Sequence, residues 1–322
     1  MKILITSAGQ RVSLVRAFKK ELTKHFNDAK VFATDMNPGL SPACNISDKY
    51  FKVKRVIDPQ YIDELLSLCI ENEIKMVIPT IDMELQVLAD HKHLFDNINV
   101  HLIISSSSFV ATCGDKRKTN KLFLQNKIPI PAEIDKKNLS FPLFIKPFDG
   151  SLSSDTYLIR REKELTDYHL ENEKFMFMEY LDKITYQEYT IDMYYGRDHF
   201  VKCIVPRKRI LVRAGEINKG LTCKNLIVTY LKEKLAKIEG AVGCVTTQLF
   251  LNRETQDLKA IEINPRFGGG YILSYLAGAN FPKWLIEEYL QNKEIDYTDS
   301  WEDNLLMLRY DDEILIHDYK DY

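Results

Sequence analysis

The first hundred positions alternate between two hydrophobic rhythms. Short, nearly unbroken apolar runs, KILIT at 2–6, KVFATD at 30–35, IKMVIPT at 74–80 and VHLIIS at 100–105, read as four buried strands. Between them apolar residues recur at helical spacing. Val12, Val15, Phe18 and Leu22 mark a helix over 11–26, and the segment 58–73 a second one, opened by a cap and a proline. Residues 82–96 read as a third. Strand–helix alternation of this kind predicts a parallel sheet with helices on both faces. Beyond residue 112 the rhythm changes. FPLFIKP, TYLIR, KFMFMEYL, EYTIDMYY and HFVKCIVP follow one another with short connections, as in an antiparallel sheet. A helix at about 226–239 separates them from CVTTQLFLN and LKAIEIN. The expected fold is therefore α/β followed by α+β, with a boundary near residue 112.

Composition narrows this picture mainly by exclusion. A chain of 322 residues, 45% hydrophobic and 28% charged, has length for about two domains and apolar residues enough for cores. A net charge of −2 argues against a nucleic-acid or membrane-surface partner, which calls for a large basic excess. No apolar run is long enough to span a bilayer, and the N-terminal one is too short for a signal-peptide core. The six cysteines are scattered without paired spacing, which points to free thiols in a reducing cytoplasm. His91 and His93, two apart on an expected helix, point in different directions and make a poor metal pair.

Candidate chemistry gathers in the second half. A hairpin centred on Thr255 sets Gln248 opposite Glu262, and Asn264 shares their face because strand side chains alternate. One carboxylate and two amide oxygens suit magnesium, which also binds phosphates. A slip of one residue would split the set, and the bland alternative is three polar residues on a wet face. Lys116 opens a helix, and Lys146 ends the strand FPLFIKP as a point charge suited to phosphate. The turn FDGSLSSD, with Ser151 and Ser153, can fold over phosphates through its amides, although no P-loop pattern is present. The strand end Glu179, Tyr180, Leu181 can read an adenine edge with its backbone, and Glu188 can take ribose hydroxyls. At the N-terminus a glycine turn follows the first strand in LITSAGQR, without the dinucleotide fingerprint. Asp35 ends the second strand, and Arg11, Asp82 and Glu84 are candidates for holding an acceptor; caps and surface charges explain them equally well.

The ordered set of Lys116, FIKP with Lys146, the serine–glycine turn, MEYL, Glu188, Gln248 and EINPRFGG resembles the ATP-grasp superfamily. The branch most similar holds the carbamoyl-phosphate synthase large subunit and related carboxylate–amine ligases, although this chain has one module where that subunit has two. The resemblance implies a Rossmann-like pre-ATP-grasp domain over 1–112 and an ATP-grasp domain over 113–322. The latter divides into a lid-like part, 113–182, and a C-terminal part, 183–322. It also implies ATP on Lys116, Lys146, Ser151 and Ser153, with the adenine hinge at 179–181 and the ribose on Glu188. Mg2+ falls on Gln248, Glu262 and Asn264, and Arg266 lies beside the transferred phosphoryl or the acceptor. The basic run VPRKRILVRAG reads as a solvated face or, in this context, as arginines for an acyl phosphate. In regular strand geometry Arg207, Arg209 and Arg213 share a face, and Arg207 and Arg213 are the active-site candidates.

The implied reaction is carboxylate activation by ATP and capture by an amine, so the expected partners are two small molecules; homodimers are common among relatives. Two departures stand out: the phosphate turn is poor in glycine, and Gln187 sits where relatives commonly have glycine. An ATP-binding protein without ligase chemistry is the main alternative. An oxidoreductase built on the N-terminal domain is disfavoured by the missing glycine fingerprint.

Overall fold

A computed structural model describes residues 1–150, 154–213 and 215–319. Its N-terminal sheet contains β1 (Lys2–Ile5), β2 (Lys30–Asp35), β3 (Lys49–Lys52), β4 (Met76–Ile78) and β5 (His101–Leu102). All are parallel, in the order β3-β2-β1-β4-β5. The central strand is apolar at every inward position because helices cover both faces of the sheet. The strand order reverses direction between β1 and β4, and the turn after β1, with Gly9 at φ +48, opens at that point. The edge strand β3 was not expected from its sequence, KYFK, which is short, polar and largely exposed. The expected helix over 82–96 is two helices, Asp82–Asp90 and Lys92–Asn97, broken at His91.

The remaining strands form two antiparallel sheets. β6 (Leu143–Pro147), β7 (Tyr157–Ile159) and β8 (Phe175–Glu179) make the smaller, in the order β7-β6-β8, over a core of Leu143, Ile145, Ile159, Phe175 and Phe177. The larger holds β9 (Tyr186–Tyr195), β10 (Val201–Arg213), β11 (Glu216–Thr222), β12 (Gly243–Asn252), β13 (Leu258–Asn264) and β14 (Leu306–Leu308). Its order is β13-β12-β9-β10-β11-β14. The basic run, read as a solvated face or as a strand bearing arginines, is a strand: it forms the outer half of β10, and β11 begins at Glu216. The helix expected over 226–239 ends at Lys234.

One apolar core joins the N-terminal sheet to the far end of the chain. Ile3, Val15 and Phe18 pack in the same cluster as Phe267, Tyr271, Phe281 and Trp301. Phe18 meets Phe267 edge to face at 5.9 Å, a geometry worth about 0.5–1.5 kcal/mol beyond burial. Phe267 and Tyr271 flank the three glycines 268–270, so this packing holds the glycine loop against the N-terminal part.

Candidate active site

A cavity of about 410 Å³ lies between the two antiparallel sheets and the N-terminal part. Its floor follows from strand register. Glu262 on β13 pairs with Gln248 on β12, Gln248 with Thr190 on β9, and Thr190 with Arg207 on β10, so one lateral row crosses four strands on one face. The next row is Asn264, Thr246 and Asp192. The pairing of Gln248 with Glu262 agrees with expectation, but for a different reason. Near the turn the register is Leu251 with Leu258 and Leu249 with Ala260, which taken alone would set Gln248 against Ile261. A bulge at Ile261 adds the residue that restores Glu262 to the face of Gln248.

The donor set at this edge is one carboxylate and two amides, each half-buried, with Asn264 Nδ2 donating to Glu262 Oε1 at 3.0 Å. Hard oxygens of this number and charge fit a magnesium ion that keeps other positions for water and phosphate. Among the described residues no cluster of three His, Cys, Asp or Glu side chains offers a metal site. The amide oxygens are therefore essential to any such site here.

Across the cavity stands Lys146, only 8% exposed at the end of β6. Burial pushes its ammonium down to about 8, opposed by the nearby Glu262 carboxylate and reinforced by Lys116. Lys116 begins the helix Lys116–Gln125, capped by Asp115, and its ammonium bonds the Gly150 carbonyl at the start of the serine turn. Ser151 and Ser153 lie outside the described residues. Glu179, Tyr180 and Leu181, at the end of the strand β8 that pairs with β6, line the cavity with Phe144, Met178 and Ile261. The Glu179 carboxylate accepts from Lys259 at 2.6 Å and from the Ala132 amide at 3.0 Å, which engages it away from any ligand. Burial raises the Glu188 carboxyl above its ordinary range, offset by Arg209. The Arg209 Nε lies 3.0 Å from Glu188 Oε1, close enough for an ion pair but not aligned as a hydrogen bond. Gln187, at the departure from the family pattern, donates to the Arg209 carbonyl at 3.1 Å and accepts from Arg253 at 2.8 Å.

The arginines divide sharply. Arg207 is 1% exposed and bidentate to Asp192 at 2.7 and 2.9 Å, while Ser274 and Thr246 also donate to that carboxylate. Its Nη1 is buried without a hydrogen-bond partner among the described residues and faces Gly270, where any side chain would displace it. Arg266 is clamped by Asp82 through two bonds of 2.6 Å. Burial works against its charge, but the Asp82 pair outweighs this and holds its pKa above the ordinary value. Arg213 does not reach the cavity. Two register shifts in β10, between Arg209 and Val212, break the alternation that would have set it beside Arg207, and it pairs instead with exposed Asp311.

At the N-terminal wall, Arg11 and Asp82 line the cavity, but Glu84 does not. It is fully buried, accepting from the Thr80 amide at 2.7 Å, the Ile81 amide at 3.2 Å, Ser7 and Tyr61. Asp35 is likewise spent on the amides of Gly9 and Asn37. Several lining residues were not singled out from sequence, among them Thr190, Thr246 and Glu216. A count by twos from Glu188 places Thr190 on the same face; the same count reaches Asp192 beneath Arg207. Thr246 stands two before Gln248. Glu216 begins β11, a strand the sequence reading did not resolve.

Comparison with known proteins agrees with this fold. Residues 3–103 match a family model described as PylC-like, N-terminal domain, and residues 171–310 match one described as ATP-grasp in the biosynthetic pathway with Ter operon. Residues 171–310 thus carry an ATP-grasp match, and the ligands typical of that family are ATP and Mg2+. Similar solved structures include biotin carboxylase from Campylobacter jejuni, at TM-score 0.72 and 13% identity over 95% of this chain and 74% of that one. N5-carboxyaminoimidazole synthetase from Staphylococcus aureus, complexed with ADP, has TM-score 0.70 and 15% identity over 92% and 78%. L-amino acid ligase from Bacillus licheniformis has TM-score 0.67 and 18% identity over 90% and 74%. At such identities the likeness is one of fold. No curated protein matches the chain by sequence. No helix among the described residues is long and apolar enough to cross a membrane.

Proposed function

We propose that the chain is an ATP-dependent ligase that activates a substrate carboxylate as an acyl phosphate and joins it to an amine. The observation that carries this reading is the row of Glu262 and Gln248, with Asn264 beside it, facing Lys146 across one cavity. Lys116 and Lys146 hold phosphates, the backbone at 179–181 meets the adenine, and Glu188 takes the ribose. Gln248, Glu262 and Asn264 would hold Mg2+, which supplies charge neutralisation for the phosphates when bound. A carboxylate oxygen attacks the γ-phosphorus, the bond to the β-phosphate oxygen breaks, and ADP leaves. The amine nitrogen then attacks the acyl carbon, the carbon–oxygen bond to phosphate breaks, and the nitrogen gives up a proton. Such transfers depend on positioning and charge more than on a protein nucleophile. Arg266 and the free Nη1 of Arg207 are the donors for the developing negative charge. The position of Arg213 gives it no part in this reading. We take the chain to divide at residue 112, since the parallel sheet ends at Leu102 and the first cavity lysine follows at 116.

Calorimetric titration of a non-hydrolysable ATP analogue with magnesium, on wild type and on Glu262→Ala, tests the site. Binding should require both the metal and Glu262. Release of ADP that depends on an added carboxylate and amine then tests the reaction. Nucleotide binding without such turnover from a broad substrate pool would leave an ATP-binding protein and overturn the ligase reading.

A further inference from the structure

A second cavity, of about 70 Å³, adjoins the first between the helix Val12–His25 and the glycine loop. The two share Arg11, Glu216, Gly268 and Gly269 as walls. We propose that the smaller one is the subsite for an α-amino acid with a small apolar side chain, the substrate that supplies the attacking amine. The role of the amine rests on the ligase reading above; the binding of the amino acid does not.

Size sets the first limit. At about 10–15 Å³ for each water-sized group, the space takes roughly five to seven heavy atoms, a number that includes glycine and alanine. Charge sets the second. One wall carries Arg11, Arg309 and Glu216, while Leu14, Ala17 and Ile272 supply an apolar one. Arg309 Nη1 donates to Glu216 at 3.0 Å and to the Ile217 carbonyl at 3.2 Å, whereas Arg11 stands 3.7 Å from Glu216, too far for a hydrogen bond. Donors on both guanidiniums thus remain for a ligand. An anion alone would confront Glu216, and an amine alone would confront two arginines. A zwitterion satisfies both signs, and Leu14, Ala17 and Ile272 favour a small apolar side chain.

Orientation follows from which cavity each residue lines. Arg309 belongs to the small cavity only, and Glu216 to both. The ligand carboxylate therefore lies on Arg309, away from the first cavity, and its ammonium lies at the junction on Glu216, facing the phosphate end. Burial raises the Glu216 carboxyl, but Arg11 and Arg309 outweigh this and hold it below the ordinary range, so it stays an anion able to receive an ammonium. Gly269 keeps this junction open, since any side chain there would run into the Glu216 carboxylate.

The test is calorimetry of the full chain with L-alanine, ethylamine, propionate and L-tryptophan, each with and without magnesium and the ATP analogue. L-Alanine should bind, and the other three should be weaker by roughly tenfold or more. Arg309→Met should weaken alanine roughly 10- to 100-fold, and Arg309→Lys should recover most of it. Propionate or ethylamine binding as tightly as alanine overturns the subsite, as does an absence of alanine binding in both conditions. Unchanged alanine affinity in Arg309→Met overturns it too. The comparison of ligands on wild type decides the matter should that variant not fold. Alanine binding without ADP release from ATP, magnesium and a broad pool of carboxylates would sink the ligase reading and keep the subsite. ADP release with any amine, showing no preference for amino acids, would do the reverse.

Discussion

The two halves of β10 carry the same kind of residue and put it to opposite uses. In the inner half Arg207 is 1% exposed, bidentate to an Asp192 that is itself wholly buried. Six residues on, Arg213 has a side chain 64% exposed, paired to an Asp311 that is 74% exposed. The inner half lies between β9 and β11 under the glycine loop, where Asp192 fixes two of the three guanidinium nitrogens. The outer half leaves β9 behind after Lys208 and slips register twice against β11 alone. An arginine becomes part of a site when the strands on both sides, and the layer above, remove its alternatives. Its residue type and parity decide much less.

Removing the buried member should have the largest effect. Arg207→Met leaves Asp192 charged and unpaired in the core, so urea unfolding should show a loss of about 3–5 kcal/mol. Combining it with Asp192→Asn should recover part of that loss; no recovery would mean that Arg207 acts through packing rather than charge. Arg209, between the two extremes, also binds Thr190 at 3.0 Å and lies beside Glu188. Arg209→Met should cost about 1.5–3 kcal/mol in stability, and it should weaken the nucleotide analogue through a loosened Glu188.

Lys146 extends the comparison to a second buried cation and can be read by pH alone. Its folded pKa of about 8 lies below the ordinary 10.5, so between those values the unfolded chain binds more protons than the folded one. The contribution of this group to stability therefore rises with pH across that window. Affinity for nucleotide phosphates should move the other way, falling roughly tenfold from pH 7 to pH 9.5 as the ammonium is lost. Titrations at both values check this, and Lys146→Arg should flatten the dependence. At the small end, Arg213→Ala should leave the melting temperature and ADP release within error, because exposed ion pairs contribute little. A clear drop in turnover would place the outer half of β10 in the reaction after all.

Legibility in the sequence followed the same division between local pattern and surroundings. The alternating strands and helices of the first hundred residues were readable because each element buries a face against its neighbours, and that face imposes its own period. β3 and β14 were not, being three- or four-residue edge strands with mostly exposed side chains. β11 escaped because its glycine and polar residues break the alternation that marks a strand. Asp82 and Glu84, two apart at one helix start, looked equivalent; Asp82 faces the cavity and clamps Arg266, while Glu84 caps its own helix and holds Tyr61. Thr190 and Asp192 were within reach of a count by twos, yet nothing local marked them as belonging to a row that runs across four strands.

What the sequence determined by itself was the order of elements, the class of fold and the kinds of chemical group at strand ends. These depend on period, on turn residues and on hard-oxygen or cationic side chains, all of which are local. The tertiary structure decided which of those groups meet. A bulge at Ile261, invisible in composition, restores Glu262 to the face of Gln248. The packing of Phe18 on Phe267 holds the glycine loop over Arg207 and beside Glu216. Contacts of that kind join residues far apart in the chain, so no window along it contains the physical reason for them.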